Sequence, residues 1–466
     1  MTSQSNIAST SHIHIIGIGG AGMSPLARIL LQQGKIVSGS DQQPTPVTES
    51  LQALGATIYR GHRAQNIAGA DLVVASAAVR ADNPELVAAA QQDIPAIKGA
   101  VLLGELMLGK KAICVAGTHG KTTITAMIAK VLGDAGLDPT YVIGGEPRDL
   151  PTSGHHGQGD YFVAEADEFD RRFLSLHPSI AVITSIEPDH PDCYPTPESL
   201  LDAFRAFVSL LPSDGWLVGC GDDQRVRDLG RAAASRFISY GLSSGNDWTA
   251  TSVGTDAFGG SHFQPVHEGR PLTECTLKVP GEHNIRNALA TLAVAALVGM
   301  EDQSVQSSLA DFSGVGRRFE VVGEALGATL VDDYAHHPTE IRATLAAARA
   351  RYPGRRIMAV HQPHTYSRLK ALLPDFAASF GDVDKVLILD IYASRETDTL
   401  GIHSRDLVAA IERPAATYAG TADEATDYLR RSLKPGDVVI TLGAGDVNRV
   451  LHSLLETSQA DQQAGK

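Results

Sequence analysis

The stretch Val115 to Thr123, VAGTHGKTT, holds the residue types that phosphate chemistry needs. It lies between an apolar run, KAICVAG, and KTTITAMIAKVLGDAG, which reads as a helix closed by Gly136. A glycine turn leading from a strand into a helix aims backbone N–H groups at an anion. Gly117, Thr118, His119, Gly120, Lys121, Thr122 and Thr123 are the candidate ATP-binding residues. Lys121 is placed to reach the outer phosphates, Thr122 to ligate Mg²⁺, and His119 to contact phosphate from within the loop. The match is to G-x-x-G-K-[ST], one step shorter than the full pattern, with Val115 where its first glycine would stand.

A second phosphate loop stands near the start. Strand HIHII runs into Gly17, Ile18, Gly19, Gly20, Ala21 and Gly22, which fits G-x-G-x-x-G, and Asp41 closes the next strand, IVSGSD. Alone, this fingerprint reads as a dinucleotide site. Two phosphate loops in one chain alter that reading: one takes ATP, the other a different pyrophosphate-bearing molecule.

Polar clusters follow at successive strand ends, where parallel-sheet enzymes collect ligands. YFVAEADEFD supplies Glu165, Asp167, Glu168 and Asp170, and a strand-end glutamate suits a hard cation beside phosphates. IAVITSIEPDH ends in Asp189 and His190. PGEHNIRNALA puts His283, Asn284 and Asn287 at a helix start; the two asparagines share a face and are placed either to cap the helix or to meet a base edge. DDYAHHPTEI contributes Asp332, Asp333, His336 and His337, and HQPHTYSR contributes His361, His364 and Arg368. No third ligand at set spacing supports zinc at the latter.

These residues must be positioned by a chain of 466 residues, too long for one compact domain. Hydrophobic residues make up 43% and charged residues 20%, as in an ordinary globular protein, and a net charge of −14 gives no general attraction for nucleic acid or anionic membrane. No apolar run reaches membrane-spanning length, MTSQSNIASTS has no signal-peptide core, and TSQADQQAGK reads as a frayed tail. Cys114, Cys193, Cys220 and Cys275 have no metal-ligand spacing and read as free thiols of a cytoplasmic protein. Strands and helices alternate throughout, which predicts an α/β chain of three domains: Rossmann-like at 1–110, a central P-loop ATPase-type domain at 111–318, and Rossmann-like again at 319–466.

Taken in order, GIGGAGMS, AGTHGKTT, AEADE, the DH of EPDHPD, HNIRNALA, GRRFE, DDYAHHPTEI, HQPHTYSR and LGAGD resemble the Mur ligases of peptidoglycan synthesis over about residues 12 to 455. The resemblance implies a cytoplasmic ligase, monomeric or homodimeric, with ATP, UDP-N-acetylmuramate and L-alanine as substrates and Mg²⁺ as cofactor, and with no nucleic-acid or membrane partner. The alternative within the family attaches a recycled tripeptide to the same sugar nucleotide. Gly17, Gly19, Gly20, Gly22 and Asp41 then bind the UDP-sugar rather than NAD. Lys121, His190, His336 and Arg368 carry catalysis. Thr122, Glu165 and His190 hold metal; Asn284, Asn287, Arg318 and Asp333 reach ATP; His337, His364 and Arg368 hold the amino acid, Arg368 through a bidentate pair with its carboxylate. Phe169 and Pro191 stand where relatives often differ and shift local loop geometry. No lysine lies between Lys130 and Lys278, so no carbamoylated lysine serves the metal, and Arg205, in the helix where one would be sought, faces solvent or pairs with an acid.

Overall fold

The computed structural model describes residue 7 and residues 10–256 and 259–464. Most of the N-terminal segment read as lacking a signal peptide lies outside them. The tail read as frayed is instead helical: Arg449–Ala464 forms one helix, because Val450, Leu451 and Leu454 bury against the last sheet. No helix among the described residues is long and apolar enough to cross a membrane.

The chain divides into two compact units. The first runs to Ile186 and includes Glu198–Thr249 and Leu289–Ser308; the second holds Glu187–Pro197, Ala250–Ala288 and the chain from Leu309 on.

The first unit contains a five-stranded parallel sheet in the order Thr57–Arg60, Ile36–Asp41, His12–Ile16, Leu72–Ala75, Ala96–Lys98. Ile13, Ile15 and Ile16 and Leu72 to Val74 are fully buried, as strands covered on both faces must be. One charged side chain is sealed under this sheet. Glu85, in the first turn of helix Pro84–Gln91, accepts hydrogen bonds from Ser40 Oγ and Asn66 Nδ2, each at 2.6 Å, and lies 3.5 Å from His14 Nε2. Burial opposes its charge, but the bonds from His14, Ser40 and Asn66 outweigh burial and hold the carboxyl down at about 2.

The unit's second sheet runs Arg236–Tyr240, Trp216–Cys220, Ile180–Ile183, Lys111–Ala116, Tyr161–Glu165, Thr140–Val142, all parallel, with Gly154–His155 added antiparallel. Val115 pairs with Glu165 and Ala116 with Ile183. That register brings the Gly117 turn between the carboxyl ends of two neighbouring strands. Helix Pro197–Val208 buries Leu200, Phe204 and Phe207, while Arg205 on its exposed side pairs with Glu198 and Asp202, as the sequence predicts.

In the second unit the sheet order is Glu320–Ala325, Ala328–Asp333, Val438–Leu442, Ile357–His361, Lys385–Leu389, Ala415–Gly420; only the first pair is antiparallel. Leu442 pairs with both Asp333 and His361, so two of the polar strand ends stand level with each other. The Gly/Ser/Thr-rich stretch contributes short strands, among them Ser261–His267, which pairs antiparallel with Cys275–Leu277. All four cysteines are free, and only Cys193 is not buried.

Candidate active site

The first unit carries the phosphate loop. Gly117 has φ +124°, and a Cβ there would overlap Thr184 Oγ1, so only glycine fits against the neighbouring strand end. Gly120, at φ +81°, precedes helix Lys121–Asp134, whose first-turn N–H groups have no partner within the helix. Lys121 Nζ donates to Gly117 O at 2.6 Å and to Glu168 Oε2 and Oε1 at 2.9 and 3.2 Å. Burial works against the ammonium, but Glu168, Asp167 and Glu165 outweigh it and hold its proton far above the usual lysine range. Glu165 is pinned by the Gly144 N–H, 2.5 Å from Oε1, and a Cβ at Gly144 would lie 2.8 Å from both carboxylate oxygens.

Glu168 pairs with Lys121 and Asp167 with Arg172, each at 2.9 Å, while Glu165 and the Thr122 hydroxyl are oxygen donors of the kind a divalent cation prefers. The donor chemistry of these two residues suits such an ion. Thr184 Oγ1 and Ser185 Oγ are buried beside the loop with no hydrogen-bond partner among the described residues. Sequence reasoning missed both, and their only signal is the place that follows a parallel strand.

The glycine loop of the same unit is built around its acid. Asp41 Oδ2 accepts the Gly19 N–H at 2.9 Å, and a Cβ on Gly19 would sit 2.9 Å from that oxygen. Gly17 has φ +76° and Gly20 N–H returns to Gly17 O at 3.1 Å. Asp41 therefore shapes the loop.

The second unit gathers the histidines. Arg368 is nearly fully buried, as is Asp189, although they are 179 residues apart in sequence. Arg368 Nε and Nη2 both reach Asp189 Oδ1, at 2.8 and 2.7 Å, and Nη1 donates to His364 O and Nδ1, each at 2.9 Å. The Asp189 carboxyl, despite its burial, is held well below the usual range by Arg368 and then by His190, His336 and His337. The side-on fork expected to grip a substrate carboxylate is thus already engaged by an internal one; one Nη2 N–H of Arg368 remains. His190 adopts φ +52° ahead of Pro191, and its Nε2 lies 3.7 Å from Asp189 Oδ2.

His336 and His364 meet edge to face, their ring centroids 5.6 Å apart. His336 Nδ1 lies 3.0 Å from Tyr334 O and 3.3 Å from Glu340 Oε2. Burial pushes His336 down to about 3 and His364 to about 4, so both are neutral at pH 7. His337 caps helix Pro338–Arg351, its Nδ1 accepting Thr339 N–H, and its Nε2 lies 3.3 Å from Pro188 O. Glu340, which sequence reasoning passed over, closes the capping box and lies 3.8 Å from Arg318. The spacing H-P-T-E was its signal.

Asp333 accepts N–H bonds from Phe319 and Ala335 at 2.8 and 2.7 Å, and burial still pushes it up to about 6. Asn287 Nδ2 donates to Asn284 Oδ1 at 3.1 Å, so the two asparagines do share a face. Arg318 lies over the Tyr334 ring, 5.1 Å from its centroid.

The phosphate loop and the parallel sheets that carry the polar strand ends are those of an ATP-dependent ligase, and the chain belongs to the Mur ligase family. Its residues 12–111 match the Mur ligase catalytic domain model, 115–295 the middle domain and 317–445 the glutamate ligase domain. Among curated relatives, UDP-N-acetylmuramate–L-alanine ligase of Geobacter sp. strain M21 is 45% identical over 97% of this chain and 98% of its own length, and that of Burkholderia cenocepacia is 44% identical over 96% and 98%. The crystal structure of UDP-N-acetylmuramate–alanine ligase from Thermotoga maritima matches with TM-score 0.82 at 28% identity, over 97% of this chain and all of that one. A murein peptide ligase from Psychrobacter arcticus matches with TM-score 0.74 at 25% identity, covering 96% of this chain and 98% of that one.

Proposed function

We propose that this protein is a UDP-N-acetylmuramate–L-alanine ligase. ATP phosphorylates the lactyl carboxylate of the muramoyl group, and the amine of alanine then attacks the acyl phosphate to leave amide, ADP and phosphate. What carries the choice of acceptor is the 45% identity, across nearly the whole chain, to a relative of that name.

The residues supply the chemistry as follows. Bringing a carboxylate to a triphosphate joins like charges, so the first step needs fixed positive charge and positioning. Lys121 and the N–H groups that open helix Lys121–Asp134 provide it. Thr122 and Glu165 would hold Mg²⁺, with His190 serving a second ion, and the metal would supply further charge neutralisation. Glu168 occupies Lys121, and an arriving phosphate takes over that contact. Asn284 and Asn287 offer amide edges to adenine, with Arg318 at the hinge and Asp333 in the third domain as further nucleotide ligands. Gly17, Gly19, Gly20 and Gly22 approach the UDP pyrophosphate closely because none has a side chain there. His364 and the remaining Arg368 N–H receive the alanine carboxylate. The reading places the protein in the cytoplasm, where these nucleotide substrates are found.

The test is phosphate release from ATP with UDP-N-acetylmuramate, offering alanine, glycine, serine and the tripeptide separately. Alanine should be used most efficiently. Preference for the tripeptide would move the assignment to murein peptide ligase, the reading to which the Psychrobacter structure lends its weaker likeness.

A further inference from the structure

One short segment of the first unit supplies a carboxylate to a lysine beside each of its two glycine turns. Glu165 closes strand Tyr161–Glu165, and Glu168 and Asp170 lie in the chain that follows. Glu168 holds Lys121 of the phosphate loop at 2.9 Å. Two residues on, Asp170 Oδ2 holds Lys98 Nζ at 2.8 Å. Lys98 closes strand Ala96–Lys98 of the five-stranded sheet, at the level of the Gly17 to Gly22 loop. Its register partner is Ala75, whose neighbour Ser76 would lie 3.2 Å from a Cβ on Gly17. Its chain neighbour Gly99 would put a Cβ 2.6 Å from Sδ of Met23, the residue that precedes helix Ser24–Gln32 at the far end of that loop.

Asp170 and Arg171 both have left-handed backbones, with φ/ψ of 54°/25° and 53°/29°. Neither is glycine, so each is strained and must be held there by its neighbours. The flanks of the pair are fixed. Glu165 accepts the Gly144 N–H, and Phe173 is fully buried, stacked on Phe207 with ring centroids 4.8 Å apart. A Cβ on Gly104 would overlap Ser175 O, so the end of segment Phe169–Ser175 is seated on helix Gly99–Met107, which Lys98 precedes. Between these anchors Asp170 and Arg171 are exposed, and Arg171 N–H donates to Glu168 O at 2.9 Å. The strained pair is thus tied to Glu168 on one side and to Lys98 on the other.

We propose that residues 165–175 form a strap that couples the two loops, so that filling the glycine loop strengthens the phosphate loop's hold on its nucleotide, and the reverse. The proposal rests on the sugar-nucleotide reading of the glycine loop given above. A pyrophosphate in that loop draws Lys98 from Asp170; their side chains are 65% and 45% exposed, so the pair exchanges at little cost. Asp170 and Arg171, released, relax out of the left-handed region. Through the bond from Arg171 N–H, that relaxation carries Glu168 off Lys121 and frees the ammonium for the outer phosphates of ATP. The linkage is reciprocal: ATP that takes Lys121 from Glu168 loosens the strap from Lys98 and favours the sugar nucleotide. The strap is the two-state element that both ligands bias.

The test is calorimetry on the full-length protein with the β,γ-methylene analogue of ATP and Mg²⁺, without and with saturating UDP-N-acetylmuramate. In wild type the sugar nucleotide should lower the Kd of the analogue about tenfold. Asp170→Asn keeps the shape and tolerates the left-handed backbone but loses the charge. In this variant the analogue alone should already bind as tightly as it does to the sugar-loaded wild type, and the sugar nucleotide, with no carboxylate to displace, should bind tighter. Lys98→Met should also abolish coupling but weaken the sugar nucleotide, so the two variants move its affinity in opposite directions. The double variant should lose no more coupling than either single one. Both side chains are exposed, so melting temperatures should stay close to that of wild type. An analogue affinity that ignores the sugar nucleotide in wild type, or variants that keep wild-type coupling, would overturn the strap. A wild-type protein that binds the analogue but no UDP-N-acetylmuramate would instead overturn the sugar-nucleotide reading under Proposed function.

Discussion

In the phosphate loop and in the histidine cluster alike, an internal carboxylate occupies the key cation: Glu168 on Lys121, Asp189 on Arg368. The two pairs differ in the depth of the cation. The Lys121 side chain is 16% exposed and that of Glu168 3%, whereas the Arg368 and Asp189 side chains are 3% and 7% exposed. The shallower cation is the one a substrate anion can reach from solvent. The deep pair cannot trade partners at small cost, because either charge left alone in a low-dielectric surrounding is heavily penalised. On the reading proposed above, Lys121 is a group for the reaction, and the buried Arg368 is first of all a group that holds its cluster together.

The largest effect that tests this contrast is Lys121→Ala. Its ligation rate should fall about a hundred- to a thousandfold while the fold survives. Retention of a tenth of the wild-type rate with an intact circular dichroism spectrum would falsify the role of Lys121. Arg368→Ala should show the reverse emphasis. Leaving Asp189 buried without its partner should cost about 3–5 kcal/mol in denaturant unfolding. If it unfolds like wild type and loses only alanine affinity, the deep pair is as exchangeable as the shallow one and the comparison fails. A smaller effect is expected of Glu165→Gln, which keeps shape but loses charge: the Mg²⁺ concentration for half-maximal rate should rise about tenfold with little change in ATP affinity. The smallest effect is none. With Arg205 tied to Glu198 and Asp202 and no lysine in that helix, careful removal of CO₂ should leave the rate unchanged, and restoration by bicarbonate would show that a lysine from elsewhere reaches the metal.

The same contrast explains what could be read from the chain. The phosphate loop is contiguous, and its glycine, lysine and threonine each have one physical use, so Val115 to Thr123 was legible at sight. The alternation of strand and helix likewise announced the parallel sheets. The cluster around Arg368 is drawn from residues 187–190, 318, 333–340 and 361–368, and only the folded chain reveals which charge meets which. Asp189 therefore went unread as a partner of Arg368, the helix cap made by His337 was not foreseen, and Glu340 was passed over because a capping glutamate is the ordinary meaning of its position. Asp41 was legible as important, and the folded chain adds that it shapes the glycine loop. The helix reaching Ala464 was hidden by polar composition, since a single buried face near its start suffices to dock it.

The sealed Glu85 makes the first sheet a proton-linked element. In the unfolded chain this carboxyl binds its proton near 4.5, in the folded one only near 2, so unfolding between those values draws a proton from solution. The difference amounts to about 3 kcal/mol of stability, fully present above pH 4.5 and lost as pH falls toward 2. Across the range where exposed histidines titrate, this contribution does not change. The N-terminal sheet thus has an acid fuse: insensitive through any mild change in pH, and weakened only when the medium becomes acid enough to protonate the unfolded chain's carboxylates.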